Sequence, residues 1–341
     1  MDQFANRPGQ NTLTYAGGMS VAQTTKHHAD QVQATVARGS AATSAVVASW
    51  RRSSNFHRLD PAECNLPRRL SLGEFELARQ QIEPLVRAAQ SNLDRLFLAV
   101  GGVGCCVLLA DRNGVPVDRR GAASDNETFK AWGLWTATVW SEECEGTNGI
   151  GTCLAEQRAL TVHRDQHFYA RNTLLSCTSA PIYDHEGRLA AALDVSSCRA
   201  DLTEGFVNLI AVAVSDAARR IEMENFRLAF PNARFLFAPD INRGGGGLIA
   251  VDADDLVIGA TRSARVALGV TRNFLKKPLP AADLLGGASS PARDLDQAER
   301  AAVQRALARS DGNVSAAAEA LGISRATLHR KLRRLELNRA H

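Results

Sequence analysis

The chain's 341 residues carry 40 Lys or Arg against 36 Asp or Glu, a net charge of +4, with 45% hydrophobic and 22% charged positions. That length and balance suit a soluble chain of two or three globular domains, each with its own core. No apolar run reaches transmembrane length, the opening MDQFANRPGQ is polar, and the seven cysteines form no CxxC pair, which sets aside a membrane span, a signal peptide, a disulfide framework and a zinc finger.

In chain order, residues 1–19 are polar and read as a disordered N-terminus. Residues 20–70 read as a helical leader, with helices over Val21 to Ala37 and Thr43 to Arg58. A longer helix, Leu72 to about Ala99, has Phe75, Ile82, Leu85, Leu93, Leu96 and Phe97 as its apolar positions, and Pro84 kinks or splits it. Strands follow. Cys105 to Ala110 is an apolar run ended by the turn Asp111-Arg112-Asn113-Gly114, and Val115 to Arg120 is the return strand. Ser124 to Glu127 has capping-box spacing, so a helix should start near Asp125. Asn148 to Gln157 reads as a helix, and Ala159 to His163, Leu174 to Tyr183 and Leu189 to Val195 as strands. Phe206 to about Arg227 closes the unit as a long amphipathic helix. The pattern predicts an α+β fold, an antiparallel sheet flanked by helices, over residues 71–230.

Within that unit, Trp140-Ser141-Glu142, Glu145 to Thr152, His167-Phe168, Ser176 to Asp184 and Leu193 to Ser196 resemble the GAF sensor domain of acetoin-catabolism-type regulators. Ser49 to Ser53 with Leu59-Asp60-Pro61 are similar to the leader of the same family. The resemblance implies a small-molecule effector held between the sheet and the loops over it. Trp132, Trp135, Trp140, Phe168 and Tyr169 cluster where such a lid would form, although aromatics of this kind more often serve a core. Thr147 and Asn148, in the turn Glu145 to Gly149, sit where backbone N–H groups at a helix start can meet an anion, against the alternative of a tight turn that needs glycine. Trp132, Trp135, Trp140, Thr147, Asn148, Phe168 and Cys177 are therefore the candidate ligand residues. Cys105 and Cys106 are adjacent on one strand and point to opposite faces. Cys144, Cys153, Cys177 and Cys198 with His163 or His167 fit no metal-ligand template, so ordinary buried thiols are expected, with no metal and no cofactor.

Residues 231–247, ending in Gly244 to Gly247, read as a flexible linker. Leu248 to Asp252, Leu256 to Ala260 and the helical Arg262 to Leu268 resemble the opening of a PAS domain, truncated over residues 248–286 to a strand pair and a helix. Pro278 to Pro291 reads as a second linker, of which 287–294 directly precede the last domain.

That domain, residues 295–341, is expected to be all-α. Leu295 to Ser310 reads as its first helix and Val314 to Leu321 as an alanine-rich second. Gly322 then ends that helix and permits a sharp turn, and Ser324 caps a third helix from Arg325 to about Leu335. Leu328, Leu332 and Leu335 join Ile323 as the buried stripe. From Ile323 to Arg334 there are five basic residues and no acidic one, a footprint suited to phosphates. Gly312, Asn313, Ser315, Ala317, Ala318, Leu321 to Arg325, Thr327, Leu328, Lys331 and Leu332 resemble the Fis-type DNA-binding domain. The third helix should enter the major groove by its N-terminal end. Arg325 is the first candidate for base readout, with Ser324 and His329 behind it, whereas Asn313, Ser315, Thr327, Arg330 and Lys331 suit phosphates.

Relatives with this sensor and this reader usually carry an ATPase domain between them, yet no GxxxxGK[ST] phosphate loop occurs here. The resemblances together imply a cytoplasmic, nucleoid-associated transcription regulator. It is not an enzyme, and its partners are double-stranded DNA, a small-molecule effector, RNA polymerase and a second copy in a homodimer, with no membrane. Two other readings stand beside it: a redox- or metal-responsive regulator using the GAF cysteines, and an architectural DNA-binding protein without an effector.

Overall fold

The structure is a computed structural model that describes residues 21–38, 44–63, 67–199, 201–238, 246–252, 256–270, 279, 281–285, 295, 298–300, 302–303, 306–307, 310, 312–335 and 337. The chain divides into two compact units, Met1–Pro278 and Leu279–His341.

The first unit opens with α1 (Val21–Ala37) and α2 (Ala45–Arg51), the latter capped by Ser44, whose hydroxyl accepts the Val47 N–H. The single helix expected over Thr43 to Arg58 instead widens at Arg52–Phe56 into a π-helical turn and ends at Arg58, whose φ is +59°. The helix expected from Leu72 to Ala99 is split into α3 (Leu72–Gln81) and α4 (Glu83–Val100). Pro84 lies in the first turn of α4, where its missing N–H costs nothing. Ser71 and Glu74 form a capping box at the start of α3.

Five antiparallel strands follow: β1 (Cys105–Asp111), β2 (Pro116–Arg120), β3 (Leu160–His163), β4 (Ser176–Tyr183) and β5 (Leu189–Ser197), in spatial order β2-β1-β5-β4-β3. Between β2 and β3 run the short helices α5 (Asn126–Ala131), α6 (Glu142–Glu145) and α7 (Gly149–Glu156), and α8 (Glu204–Ala229) ends the domain. Every residue of β1 is buried because both faces of the sheet are covered. Cys105, Val107 and Leu109 pack with Leu93 and Leu96 of α4 and Val214 and Ile221 of α8. Cys106, Leu108 and Ala110 pack on the other face with Phe129, Trp140, Ile150 and Cys153. The capping box expected at Ser124 is absent: a 3₁₀ turn, Ala123–Asp125, precedes α5, and the Ser124 hydroxyl donates to Asp125. The strand and helix pattern of the α+β domain is otherwise the expected one.

Residues 231–247 are not simply a linker. They contain β6 (Arg234–Phe237), which pairs with β7 (Leu248–Val251), itself paired with β8 (Val257–Ala260), so the expected strand pair is a three-stranded sheet. Residues 239–245, with Gly244, lie outside the described residues. Gly247, expected in that linker, lies against α9 (Arg262–Ala267), and its carbonyl accepts the Ala238 N–H at 2.8 Å. Phe226 of α8 packs with Leu248, Ala250, Phe230 and Phe235, which fastens the small sheet to the end of α8. The linker expected over Pro278 to Pro291 contains α10 (Ala281–Leu284), and its residues 278, 280 and 286–291 lie outside the described residues.

In the second unit the helix expected over Leu295 to Ser310 is only partly described, and its described residues from Leu295 to Leu307 are helical. It is followed by α11 (Val314–Ala320) and α12 (Arg325–Arg334), with Gly312 and Gly322 at φ +78° and +65°. Val303, Ala306, Ala317, Ala318, Leu328 and Leu332 form its core. Ala317 and Ala318 are wholly buried, so the alanine cluster lets the helices approach closely. Among the described residues no helix is long and apolar enough to cross a membrane.

A Cβ on Gly247 would fall onto the backbone nitrogen and Cα of Ala264, whereas one on Gly246 meets only ordinary contacts at 3.6 and 3.7 Å. Gly247→Ala should therefore destabilise the packing of the small sheet by about 1–3 kcal/mol, as overpacking does. Gly246→Ala should leave the melting temperature nearly unchanged, and comparative thermal unfolding checks the pair.

Candidate functional site

The turn Glu145 to Gly149 is a docking surface for the leader. Glu142, on α6, is buried, and its carboxylate accepts from the Ser49 hydroxyl, from Arg52 Nε at 2.7 Å and from Arg52 Nη2 at 3.1 Å. Ser49 also pairs with the Thr147 hydroxyl at 2.6 Å and the Thr152 hydroxyl at 3.2 Å, and Arg52 Nη1 reaches Glu156 at 2.7 Å. Trp50 packs with Val32, Phe168 and Tyr169 and donates its indole N–H to the Gln166 carbonyl at 2.9 Å. His28 of α1 meets the His167 carbonyl at 3.0 Å. Burial lowers the His167 imidazole to about 4, so it is neutral, with Nδ1 set against the Arg164 carbonyl at 2.9 Å. Glu145 is likewise buried, and Arg171 reaches it at 2.6 Å.

The candidate anion seat at the start of α7 is filled by the protein itself. Asn148 caps the helix, its Oδ1 accepting the Gly151 N–H at 2.8 Å and its Nδ2 donating to the Gly146 carbonyl. Gly149 lies against Cys177 and Asp194: a Cβ there would stand 2.6 Å from Cys177 Cβ and 2.8 Å from the Asp194 carboxylate. Asp194 is wholly buried and accepts hydroxyl hydrogen bonds from Ser179 at 2.5 Å and Ser196 at 2.6 Å. Burial pushes its carboxyl up to about 6, and the two hydroxyls hold the rise in check.

The aromatic lid is dispersed. Trp140 lies in the core beneath the sheet and donates to the Gly133 carbonyl at 2.9 Å, Phe168 packs under the leader, and Trp132 packs half-buried against the Trp140 cluster. Trp135 stacks under Arg119, whose guanidinium carbon is 4.1 Å from the ring centre. Trp140 and Phe168 thus stand in the packed core, Thr147 is hydrogen-bonded to the leader, Asn148 caps α7 and Cys177 lies buried on β4. Among the thiols, burial raises Cys105 to about 11 and Cys106, Cys153 and Cys177 further, which holds them as unreactive thiols. Cys105 and Cys106 do face opposite sides of the sheet.

In the second unit, α12 turns Leu328 and Leu332 inward and leaves Arg325, Arg330 and Arg333 exposed. Ser324 caps it, accepting the Thr327 N–H at 3.1 Å and pairing with the Thr327 hydroxyl at 2.8 Å. Asn313 caps α11 by accepting the Ser315 and Ala316 N–H groups, and Ser315 is exposed beside it. His329 is half-buried. Lys331, expected on a phosphate, is ion-paired with Glu299 of the preceding helix, as is Arg334, so one carboxylate offsets part of the charge of the two. No spacing in the sequence signals Glu299, since the contact crosses between helices. Glu142 likewise carried no signal beyond the family motif that contains it.

Two measurements follow. The folded state keeps a proton on Asp194 that the unfolded chain releases near pH 4, so this carboxyl's contribution to stability is greatest at low pH and is lost as pH rises to about 6. Relative to Asp194→Asn, the parent should lose stability between pH 4 and 6 and run parallel above it, as chemical denaturation across that range will record. Arg52→Ala strands the buried Glu142. It should cost about 3 kcal/mol, the low end for a broken buried pair because Arg52 keeps a third of its side chain in solvent, and limited proteolysis should cut the leader first.

Comparison with known proteins agrees with this geometry. Residues 84–221 match the GAF domain and residues 294–335 the family described as bacterial regulatory protein, Fis family. The acetoin catabolism regulatory protein of Cupriavidus necator is 34% identical over 224 residues, 64% of this chain and 34% of that one. The acetoin dehydrogenase operon transcriptional activator AcoR of Bacillus subtilis is 27% identical over 175 residues, 50% of this chain and 29% of that one. The chain thus spans about a third of the length of the curated relatives it matches. The structure of the E. coli DhaR(N)–DhaL complex superposes with a TM-score of 0.49 at 14% identity, over 70% of this chain and 80% of that one. Residues 222–293, between the two matched domains, hold no GxxxxGK[ST] loop. The chain carries a GAF domain and a Fis-family regulatory domain, and is similar to acetoin-catabolism regulators without the phosphate loop of an ATPase between the two.

Proposed function

We propose that this protein is a transcription regulator that binds DNA through α12 and senses a small-molecule effector through its GAF domain. The observation that carries the reading is the exposed Arg325, Arg330 and Arg333 on a helix whose leucines are turned into the core. Arg325, in the first turn, reads a base edge, and Arg330 and Ser315 hold phosphates. Ser324, Thr327 and Asn313 shape the helix starts, and His329 lies beside the groove. The regulator acts in the cytoplasm as a homodimer, which fits two half-sites about one DNA turn apart.

Effector binding favours one arrangement of the GAF domain over another, and only that difference in affinity moves the equilibrium. The small sheet is fastened to α8 through Phe226 and Phe230, so a displacement of α8 moves it too. With no phosphate loop in the chain, regulation rests on DNA occupancy and contact with RNA polymerase rather than on ATP hydrolysis. Buried, unreactive thiols at Cys105, Cys106, Cys153 and Cys177 favour an effector over redox control.

Arg325→Ala should weaken binding to the preferred site by about 1–3 kcal/mol and relax its sequence preference, and Arg330→Ala should weaken binding to all sequences and lower the salt slope by about 1. Lys331→Ala should act chiefly on stability, through Glu299. Titration of the whole chain against its own upstream DNA at fixed salt, with competitor, checks all three. Unchanged affinity and footprint in Arg325→Ala would remove the base-reading role.

A further inference from the structure

A cavity of about 490 Å³ opens between the start of α4, the β1–β2 turn, the β4–β5 turn and α8, away from the aromatic residues first considered. Its volume falls within the range of about 300–1,000 Å³ usual for small-molecule sites. Ile82, Leu85, Leu189 and Ala190 supply an apolar lining. The Asn225 side chain lines it from α8, is only 6% exposed, and its amide makes no hydrogen bond with any described residue. That amide therefore faces the cavity, where water or a ligand can take up its donor and acceptor.

The opening carries both signs of charge. Asp184 accepts the N–H groups of Glu186 and Arg188 and the Arg188 guanidinium, which also pairs with Glu186. Asp111 accepts the N–H groups of Asn113 and Val115 and the Asn113 amide; burial pushes its carboxyl up, and these hydrogen bonds, with Arg112 nearby, hold the rise in check. The lining thus presents two carboxylates and two guanidiniums, with no excess of either sign to favour a charged ligand.

We propose that this cavity is the effector seat, and that it takes a small uncharged molecule with an alkyl body and a hydroxyl or primary-amide head. Asn225 both donates to and accepts from that head. The inference rests on the domain being an effector sensor, and the position suits one. The next residue, Phe226, packs on Leu248 and Ala250 of the small sheet, and the His185 ring at the cavity meets Phe230 at 6.0 Å. An occupant therefore touches both α8 and the β4–β5 turn where they hold that sheet.

The test uses the full-length chain and three probes of one shape: isobutyramide, isobutyrate and isobutyramidinium, titrated by protein-observed NMR. Isobutyramide should bind in the millimolar range, more tightly than either charged probe, and shift signals of α8 and the β4–β5 turn. Asn225→Leu should weaken it about tenfold, the worth of one hydrogen bond to a neutral group. Ala190→Leu, which fills the cavity and leaves Asn225 in place, should abolish binding. Tighter binding of a charged probe, no binding of isobutyramide, or binding indifferent to both substitutions would overturn the proposal. DNA titration is a separate readout, so loss of DNA binding with probe binding intact would count against the regulator reading alone.

Discussion

The leader's grip on Glu142 is the interaction on which the first unit depends. A buried carboxylate is tolerable only when its lone pairs are occupied, and here Ser49 and Arg52 supply the donors from a segment some ninety residues away in sequence. The same contact aligns Thr147 and Thr152, seats Trp50 on Phe168 and Tyr169, and brings α1 over His167. The leader is thus packed into the GAF domain, and Thr147 in the turn Glu145 to Gly149 is hydrogen-bonded to it.

A second buried acid, Asp194, sits beneath the start of α7 with Ser179, Ser196 and Cys177 around it. Gly149 is required there because any side chain would strike Cys177 and Asp194. The face of the sheet that the family resemblance marks for a ligand is consequently packed with Trp140, Ile150 and the buried thiols. Open volume is found among the described residues both beside Phe129 and Cys198 at the rim of that face, about 510 Å³, and where α8 meets the β4–β5 turn, at the joint between the GAF domain and the small sheet.

The second unit is built on a different economy of contacts. Its core is a few leucines and alanines, and Asn313 and Ser324 cap its two well-described helices. Glu299 pairs with two of the cations of α12 and offsets one unit of their charge, so Arg325, Arg330 and Arg333 are the exposed cations that it leaves untouched. That is a narrower basic surface than the count of Lys and Arg in the segment suggests.

Local patterns were legible from the residues alone. The bounds of α1, the turn at Gly322, the cap of α12, the alternation of β1 and the strand order along the chain all follow from short-range spacing and turn chemistry. So do the GAF and Fis-type identities, whose motifs are contiguous. Pro84 marked the break between α3 and α4, whereas the strand β6 within the expected linker and the missing cap at Ser124 depend on pairings that propensity does not encode. The candidate site divided in the same way. The exposure of Arg325 and Arg330 is legible because a helix's outward face can be read from the period of its leucines. The contacts of Lys331 with Glu299, of Trp132 with Trp140 and of Thr147 with Ser49 are not, because those partners are not marked by any local spacing. Sequence determined which residues stand on which face of each element. Only tertiary structure decided which of those polar groups were already satisfied, since hydrogen-bond and charge pairing across the fold leaves no trace in local periodicity.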